Sequence, residues 1–198
     1  MRSIHRFYGD KSMKIYLTTD THFGHAKMKE YCGRPDGFEN KILKNLEHLT
    51  SDDLLIHLGD FCIGDDERWH NIFNMKVRAR KWLILGNHDH KSNEWYLNHG
   101  WDFVGAKFQD RLFGKNILFS HTPVRYDKFA SGMWSSAAFD INIHGHFHNN
   151  LHRLQDGIFV VPGEKERNFI DLKNLTPRHK LLSIEYTHYQ PVLLEKFI

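Results

Sequence analysis

At 198 residues, 40% of them hydrophobic, the chain is long enough to bury a substantial core and too mixed in composition to be fibrous or disordered. Its formal net charge of +3 is spread over 27 basic and 24 acidic side chains without a basic tract, which permits an anionic partner but does not describe a dedicated nucleic-acid binder. No apolar run approaches the ~18 residues of a membrane span, no signal-peptide pattern is present and two cysteines do not make a disulfide framework, so a soluble, cytoplasmic protein without a membrane partner is expected.

In chain order, Met1 to Ser12 carry charge without periodicity and read as a flexible extension, with Met13 opening a single domain over residues 13–198. Ile15 to Thr19 form a short apolar run ended by polar residues, the pattern of a buried strand, and Asp20 and His22 follow it. Phe38, Ile42, Leu46 and Leu49 make a helical stripe. Leu54 to Leu58 is a second strand, closed by Gly59 and Asp60. Asp65 and Asp66 precede a shorter stripe of Trp69, Ile72 and Phe73, where they favour a helix N-terminus. Trp82 to Leu85 is a third strand, followed by Gly86 and Asn87. From about residue 101 strands and turns dominate: Ile117 to Ser120 ends at His121, and Ile141 to His144 leads into His146 and His148. Residues 162–180, with Pro162, Gly163, a charged run and Pro177, read as a long loop or lobe before the final strands. The asymmetry suggests β-α units first and an antiparallel or mixed sheet second, an α/β fold.

Asp20, His22, Asp60, Asn87, His121, His146 and His148 thus stand just beyond the carboxyl ends of five strands, where ligands collect in sheets covered by helices. Their residue types suit a two-metal hydrolase site. Histidine is abundant, at 16 residues, and most need ordinary explanations. His57 and His144, inside apolar runs, suit hydrogen-bonded supporting roles. His5, His48, His70, His152, His179 and His188 read as exposed or loop residues, Cys32 and Cys62 as reduced thiols, and Cys62 as an apolar filler. His25, Arg34 and Arg125 lie near these residues and are candidates to bind the oxygens of an anionic substrate.

The blocks DxH at Asp20 to His22, GD at Gly59 and Asp60, GNHD at Gly86 to Asp89, SHTP around His121 and GHFH at Gly145 to His148 resemble, in order and approximate spacing, those of the calcineurin-like metallophosphoesterase family. The DxHFGH opening followed by Tyr31, Arg34 and Pro35 is similar to a subgroup of small bacterial and phage phosphoesterases. The resemblance implies a four-layer α/β/β/α sandwich of two mixed β-sheets flanked by helices. It also implies two divalent metal ions, one held by Asp20, His22, Asp60 and His148, the other by Asp60, Asn87, His121 and His146, with Asp60 bridging. His88 resembles the family's catalytic histidine, and Asp89 reads as a loop-orienting residue. Mixed oxygen and nitrogen ligands without thiolate fit Mn²⁺, Fe or Zn²⁺, and Mn²⁺ is the ion expected to support activity. The expected substrate is a small phosphodiester, phosphomonoester or nucleotide; a nuclease of the same fold and a noncatalytic metal-binding scaffold are the alternatives. Ile63 stands where many members carry a further Asp, and beyond residue 150 only Tyr189 to Val192 resembles the subgroup.

Overall fold

A computed structural model describes residues 13–126, 136–149 and 175–198, and the backbone of three two-residue strands between the last two segments. The expected extension, Met1 to Ser12, and most of the expected lobe at 162–180 lie outside the described residues. The first half runs β1 (Ile15–Thr18), α1 (Met28–Cys32), α2 (Phe38–Leu46), β2 (Leu54–His57), α3 (Asp66–Lys76), β3 (Arg80–Ile84), α4 (Asn93–Asn98) and β4 (Phe103–Gly105). The second half runs β5 (Lys107–Leu112), β6 (Lys115–Ser120), β7 (Arg125–Tyr126), β8 (Ser136–Ala137) and β9 (Ile141–His144). It continues with β10 (Leu154–Gln155), β11 (Ile158–Phe159), β12 (Ile170–Asp171), β13 (His179–Leu181), β14 (Val192–Leu193) and α5 (Leu194–Phe197).

Two mixed sheets carry the fold. In the first, β1, β2, β3 and β4 are parallel neighbours and β14 joins β1 antiparallel. In the second, the order is β13, β9, β6, β5, with the β5/β6 pair antiparallel and the other two pairs parallel. The alternation of side chains along each strand decides what lies on either face. Leu54, Ile56 and Leu58 enter the core between the sheets, where they meet Ile15, Leu17, Trp82, Ile84, Ile117, Phe119, Ile141 and Ile143. Leu55, Leu83 and Tyr16, on the opposite face, pack under the helices against Phe38, Ile42, Leu46 and Phe73. Both faces of the first sheet are therefore buried, which is why β2 is apolar without a polar alternate residue until His57.

The helical stripes occupy that outer layer as expected. In α2, Phe38, Ile42, Leu43 and Leu46 are buried, and Leu49 is buried just beyond its end. Asp65 caps α3 by accepting from the Arg68 amide, so its role is structural. The outer face of the second sheet carries a smaller cluster, Leu118, Val124 and Phe139, beside the β7/β8 pair. His70 departs from the exposed position read from its sequence: it sits on the inward side of α3 at 1% exposure, ringed by Phe61, Trp95 and Trp101. No helix among the described residues is long and apolar enough to cross a membrane.

Candidate metal centre

The parallel register of β1 and β2 continues past both strands as a ladder. The Asp20 amide donates to Gly59 O at 2.9 Å, His22 to Asp60 O at 3.0 Å and Phe23 to Phe61 O at 3.0 Å. DxH and GD, about forty residues apart in sequence, thereby become neighbours. Asp89 joins the third loop to them. Its carboxylate accepts from the amides of Asp60 at 2.8 Å, Phe61 at 3.1 Å and Gly86 at 2.8 Å, so it orients loops, as its place in GNHD suggested.

The backbone there is strained. Asp20, His22, Asp60, His146 and His148 all have φ between 47° and 71°, the left-handed region that non-glycine residues rarely adopt. Each such residue costs on the order of 1 kcal/mol and persists only where its surroundings over-determine it. Five of the seven candidate ligands share this geometry. Two glycines make room for the carboxylates: a Cβ on Gly86 would collide with the Asp60 carboxylate, and one on Gly145 with the Thr19 hydroxyl and the Asp20 carboxylate.

The side chains form two groups. In the first, the Asp20, His22 and His148 ligand atoms lie within 4.8 Å of one another; in the second, those of Asp60, His121 and His146 do. His148 Nε2 is 3.7 Å from Asp20 Oδ1. His121 Nε2 lies 2.9 Å from Asn87 Oδ1 and 3.0 Å from His146 Nδ1. Asp60 stands between them, its Oδ2 3.5 Å from His22 Nε2 and 3.3 Å from His121 Nε2. Its Oδ1 is occupied by the His88 amide at 2.8 Å.

Whether these residues fit cations can be judged from unmet bonding capacity. Asp20 Oδ2 accepts from the Thr19 hydroxyl and, at 3.0 Å, from the His146 amide, yet Asp20 Oδ1 is buried with no hydrogen-bond partner. Both ring nitrogens of His22 are buried in the same condition. Such groups cost about 1–3 kcal/mol each unless something meets them. A divalent cation does, and the donor set fits one well.

Protonation follows from burial and charge. Burial raises the Asp20 carboxyl and pulls His22 well below the usual imidazole range. Burial also lowers His146 to about 3. Burial opposes charge on Asp60 and His121 too, but each stabilises the other's ionised form. Asp60 is held well below the usual carboxylate range and His121 is raised to about 9. The second nitrogen of His121, Nδ1, donates to Leu58 O at 2.8 Å, which turns Nε2 toward Asp60.

The supporting histidines behave as their apolar settings suggest. His57 Nδ1 accepts from the Gly59 amide at 3.1 Å and its Nε2 meets the Thr21 hydroxyl at 3.0 Å, so burial keeps the ring neutral, lowered to about 3. Burial likewise lowers His144 to about 3. Cys62 is buried and donates weakly to Asp66; burial, helped by that carboxylate, pushes its thiol far up, as a filler requires.

His88 is half-buried beside the first group, its ring centroid 5.4 Å from that of His22. His25 is also half-buried, 5.7 Å from the His22 ring and 6.0 Å from that of Tyr31. Arg125 is exposed on β7, four residues past His121. Arg34 is placed differently from a surface phosphate binder. Its guanidinium donates to Asp20 O at 2.6 Å, Thr21 O at 2.7 Å and Glu185 Oε1 at 2.7 and 2.9 Å. Glu185, which no motif marked, also lies 3.2 Å from His148 Nδ1. Its only sequence signal is an isolated acidic residue after an apolar run, which many surface positions share.

The described residues thus bring a histidine- and aspartate-rich centre to the strand ends of two mixed sheets. A family model for the calcineurin-like phosphoesterase superfamily domain matches residues 13–174, and the chain belongs to that family. It is 27% identical over 191 residues to an uncharacterized protein, MJ1445, of Methanocaldococcus jannaschii, covering 93% of this chain and 89% of that one. The crystal structure of AQ665 of Aquifex aeolicus, a protein of unknown function, superposes with a TM-score of 0.62 at 25% identity over 93% of this chain and 97% of that one. An archaeal phosphodiesterase superposes more loosely, with a TM-score of 0.39 at 19% identity over 68% of this chain and 73% of that one. Family membership implies divalent metal ions, and among the described residues the two side-chain groups, together with a third made of Cys32, His148 and Glu185, are where such ions could be held.

Proposed function

We propose that the protein hydrolyses phosphoesters with a pair of divalent ions held in the two groups. Asp20, His22 and His148 would hold one ion, Asn87, His121 and His146 the other, and Asp60 both. The observation that carries this reading is the place of Asp60 Oδ2, 3.5 Å from a nitrogen of one group and 3.3 Å from a nitrogen of the other. One carboxylate oxygen so placed is what a shared ligand requires.

When bound, such a pair lowers the pKa of a shared water toward neutrality and draws the phosphoryl oxygens toward itself. The chain's own residues supply the rest. The His88 amide fixes Asp60 Oδ1, so the loop that carries the His88 ring is tied to the shared carboxylate. The His88 imidazole, beside His22 and not among the ligands, is the group to stabilise the transition state or protonate the leaving oxygen as the P–O bond breaks. Such help is typically worth ~10²- to 10⁴-fold in rate.

A pocket of about 260 Å³ opens beside Asn87 and His121, walled by Leu85, Ala106, Lys107, Ser120, Thr122 and Val124. Its mixed apolar and polar walls, with one lysine, give room for an organic group attached to the phosphorus. That favours a small phosphodiester or nucleotide. His25 lies on the first group's side as a contact for substrate oxygens, and Arg125 is the outermost cation proposed for the same role. The mixed nitrogen and oxygen donors, without thiolate, admit Mn²⁺, Fe or Zn²⁺, and Mn²⁺ is the ion proposed to support activity.

The test is an assay of protein stripped and reloaded with single metals on a generic phosphodiester, a generic monoester, a nucleotide panel and an oligonucleotide. Activity on the small diester that returns with Mn²⁺ is expected. Inertness with every metal and every substrate would sink the hydrolase reading, and activity on the oligonucleotide alone would replace it with a nuclease.

A further inference from the structure

We propose that Glu185, paired with Arg34, is a positioning residue that sets the first ligand group before a cation arrives. The proposal rests on the two-ion reading above. His148 must present Nε2 toward Asp20, and its ring is free to turn about two side-chain bonds unless Nδ1 is held. Glu185 Oε1 holds it at 3.2 Å, so an Nδ1–H donated to the carboxylate leaves Nε2 as the ligand nitrogen.

Arg34 links that oxygen to the opposite wall. Its Nε and Nη2 both donate to Glu185 Oε1, while Nη1 donates to Thr21 O and Nη2 to Asp20 O. Four donations from one planar fork tie the backbone between Asp20 and His22 to the residue that orients His148. Ser183 Oγ holds the remaining oxygen, Oε2, at 2.8 Å. The Arg34 side chain is 0% exposed and that of Glu185 5%. Arg34 pairs with Glu185 at 2.7 Å and the His148 ring lies 3.2 Å from the same oxygen, so removing either member of the Arg34–Glu185 pair leaves the other charge buried and less well compensated.

Glu185 lies eleven residues beyond the end of the matched family domain at 174 and 151 residues from Arg34 in sequence. The carboxyl-terminal segment, fastened by β13 against β9, therefore contributes to the first ligand group without supplying a ligand. A ligand role is the competing assignment, because atoms of Cys32, His148 and Glu185 lie within 4.8 Å of one another. The guanidinium on the same carboxylate oxygen argues against it: a fixed positive charge at 2.7 Å disfavours a cation there.

The test titrates Mn²⁺ alone into the metal-free full chain, with calorimetry for affinity and electron paramagnetic resonance for coupling between ions. Wild type should show two binding events and a coupled pair. Glu185→Gln should weaken one event ~10- to 100-fold, leave the other unchanged and yield single-ion spectra at limiting metal. Arg34→Lys, which keeps the charge and loses the fork, should weaken the same event. Two unchanged events in Glu185→Gln overturn the proposal, as does a third event in wild type that Cys32→Ser removes. If circular dichroism shows Glu185→Gln unfolded, Glu185→Asp decides, since it keeps Arg34's counterion and withdraws the carboxylate from His148; an unchanged affinity there also overturns the proposal. A wild-type chain that binds one ion or none sinks the two-ion reading itself, whatever Glu185 does.

Discussion

His121 and His148 occupy corresponding places in the two candidate ligand groups, and each has its Nδ1 held by an oxygen, but the oxygens differ in kind. His121 leans on the Leu58 carbonyl, a neutral acceptor at the end of β2 and two residues from Asp60. His148 leans on the Glu185 carboxylate, a charge brought from the far end of the chain and itself balanced by Arg34. The carbonyl is part of the backbone and cannot be removed by substitution. The carboxylate helps make His148 more basic: burial opposes its charge, yet Asp20, the Cys32 side chain and Glu185 together raise it to about 10. One group is thus held by the sheet and the other by a buried ion pair, so only in the second can the group that orients the histidine be changed by a side-chain substitution.

The largest effect is expected at the joint between the groups. Asp60→Asn keeps the shape but removes the charge that both share, so metal content should fall in both and activity by about 10³-fold or more. Full activity in that variant would break the comparison, because the groups would not then be coupled through Asp60. His88→Ala comes next: the rate constant should fall ~10²- to 10⁴-fold while two ions per chain are retained, which elemental analysis beside the assay would check.

A glycine pair tests whether the strained loops matter group by group. Gly145→Ala drives a methyl into Asp20 and Thr19, so ion binding in the first group should weaken more than in the second. Gly114→Ala, at φ 77° with nothing near its Cβ, should lower stability by about 1 kcal/mol and leave ion binding alone. Equal ion affinities in the two variants would show that the close approach at Gly145 is not needed.

The smallest effect lies outside both groups. Burial lowers His70 to about 4, although its bond to Asp66 O opposes this. Because the folded value is below the ordinary 6.5, the contribution of the neutral ring is complete above pH 6.5 and is lost as pH falls through 4. Between pH 7 and 5 this amounts to on the order of 1 kcal/mol. Denaturant melts of the metal-free protein should show a shallower acid loss in His70→Phe than in wild type; parallel curves would refute the assignment.

Much of the architecture was legible in the chain. Short apolar runs ended by Gly59, Gly86 or polar residues become strands, and the stripe through Phe38, Ile42 and Leu46 becomes a buried helix face. The seven candidate ligands could be picked out because strand ends are where a parallel sheet exposes side chains to a ligand, and that rule depends only on local pattern. His70 was misread because a helical histidine between Trp69 and Asn71 carries no local mark of which face it is on. Arg34 was legible as a candidate contact for substrate oxygens, but the carbonyls and the Glu185 carboxylate it donates to were not legible.

What the sequence determined by itself is the set of elements and the residue types at their ends, since both follow from periodicity and spacing along the chain. What only the tertiary structure decided is the sharing. It brings Asp60 Oδ2 between His22 and His121, puts five candidate ligand residues in a left-handed backbone, and sets Glu185 behind His148. Those relations join residues tens to 151 positions apart, and no pattern along the chain encodes a distance that arises only when two sheets close on a common core.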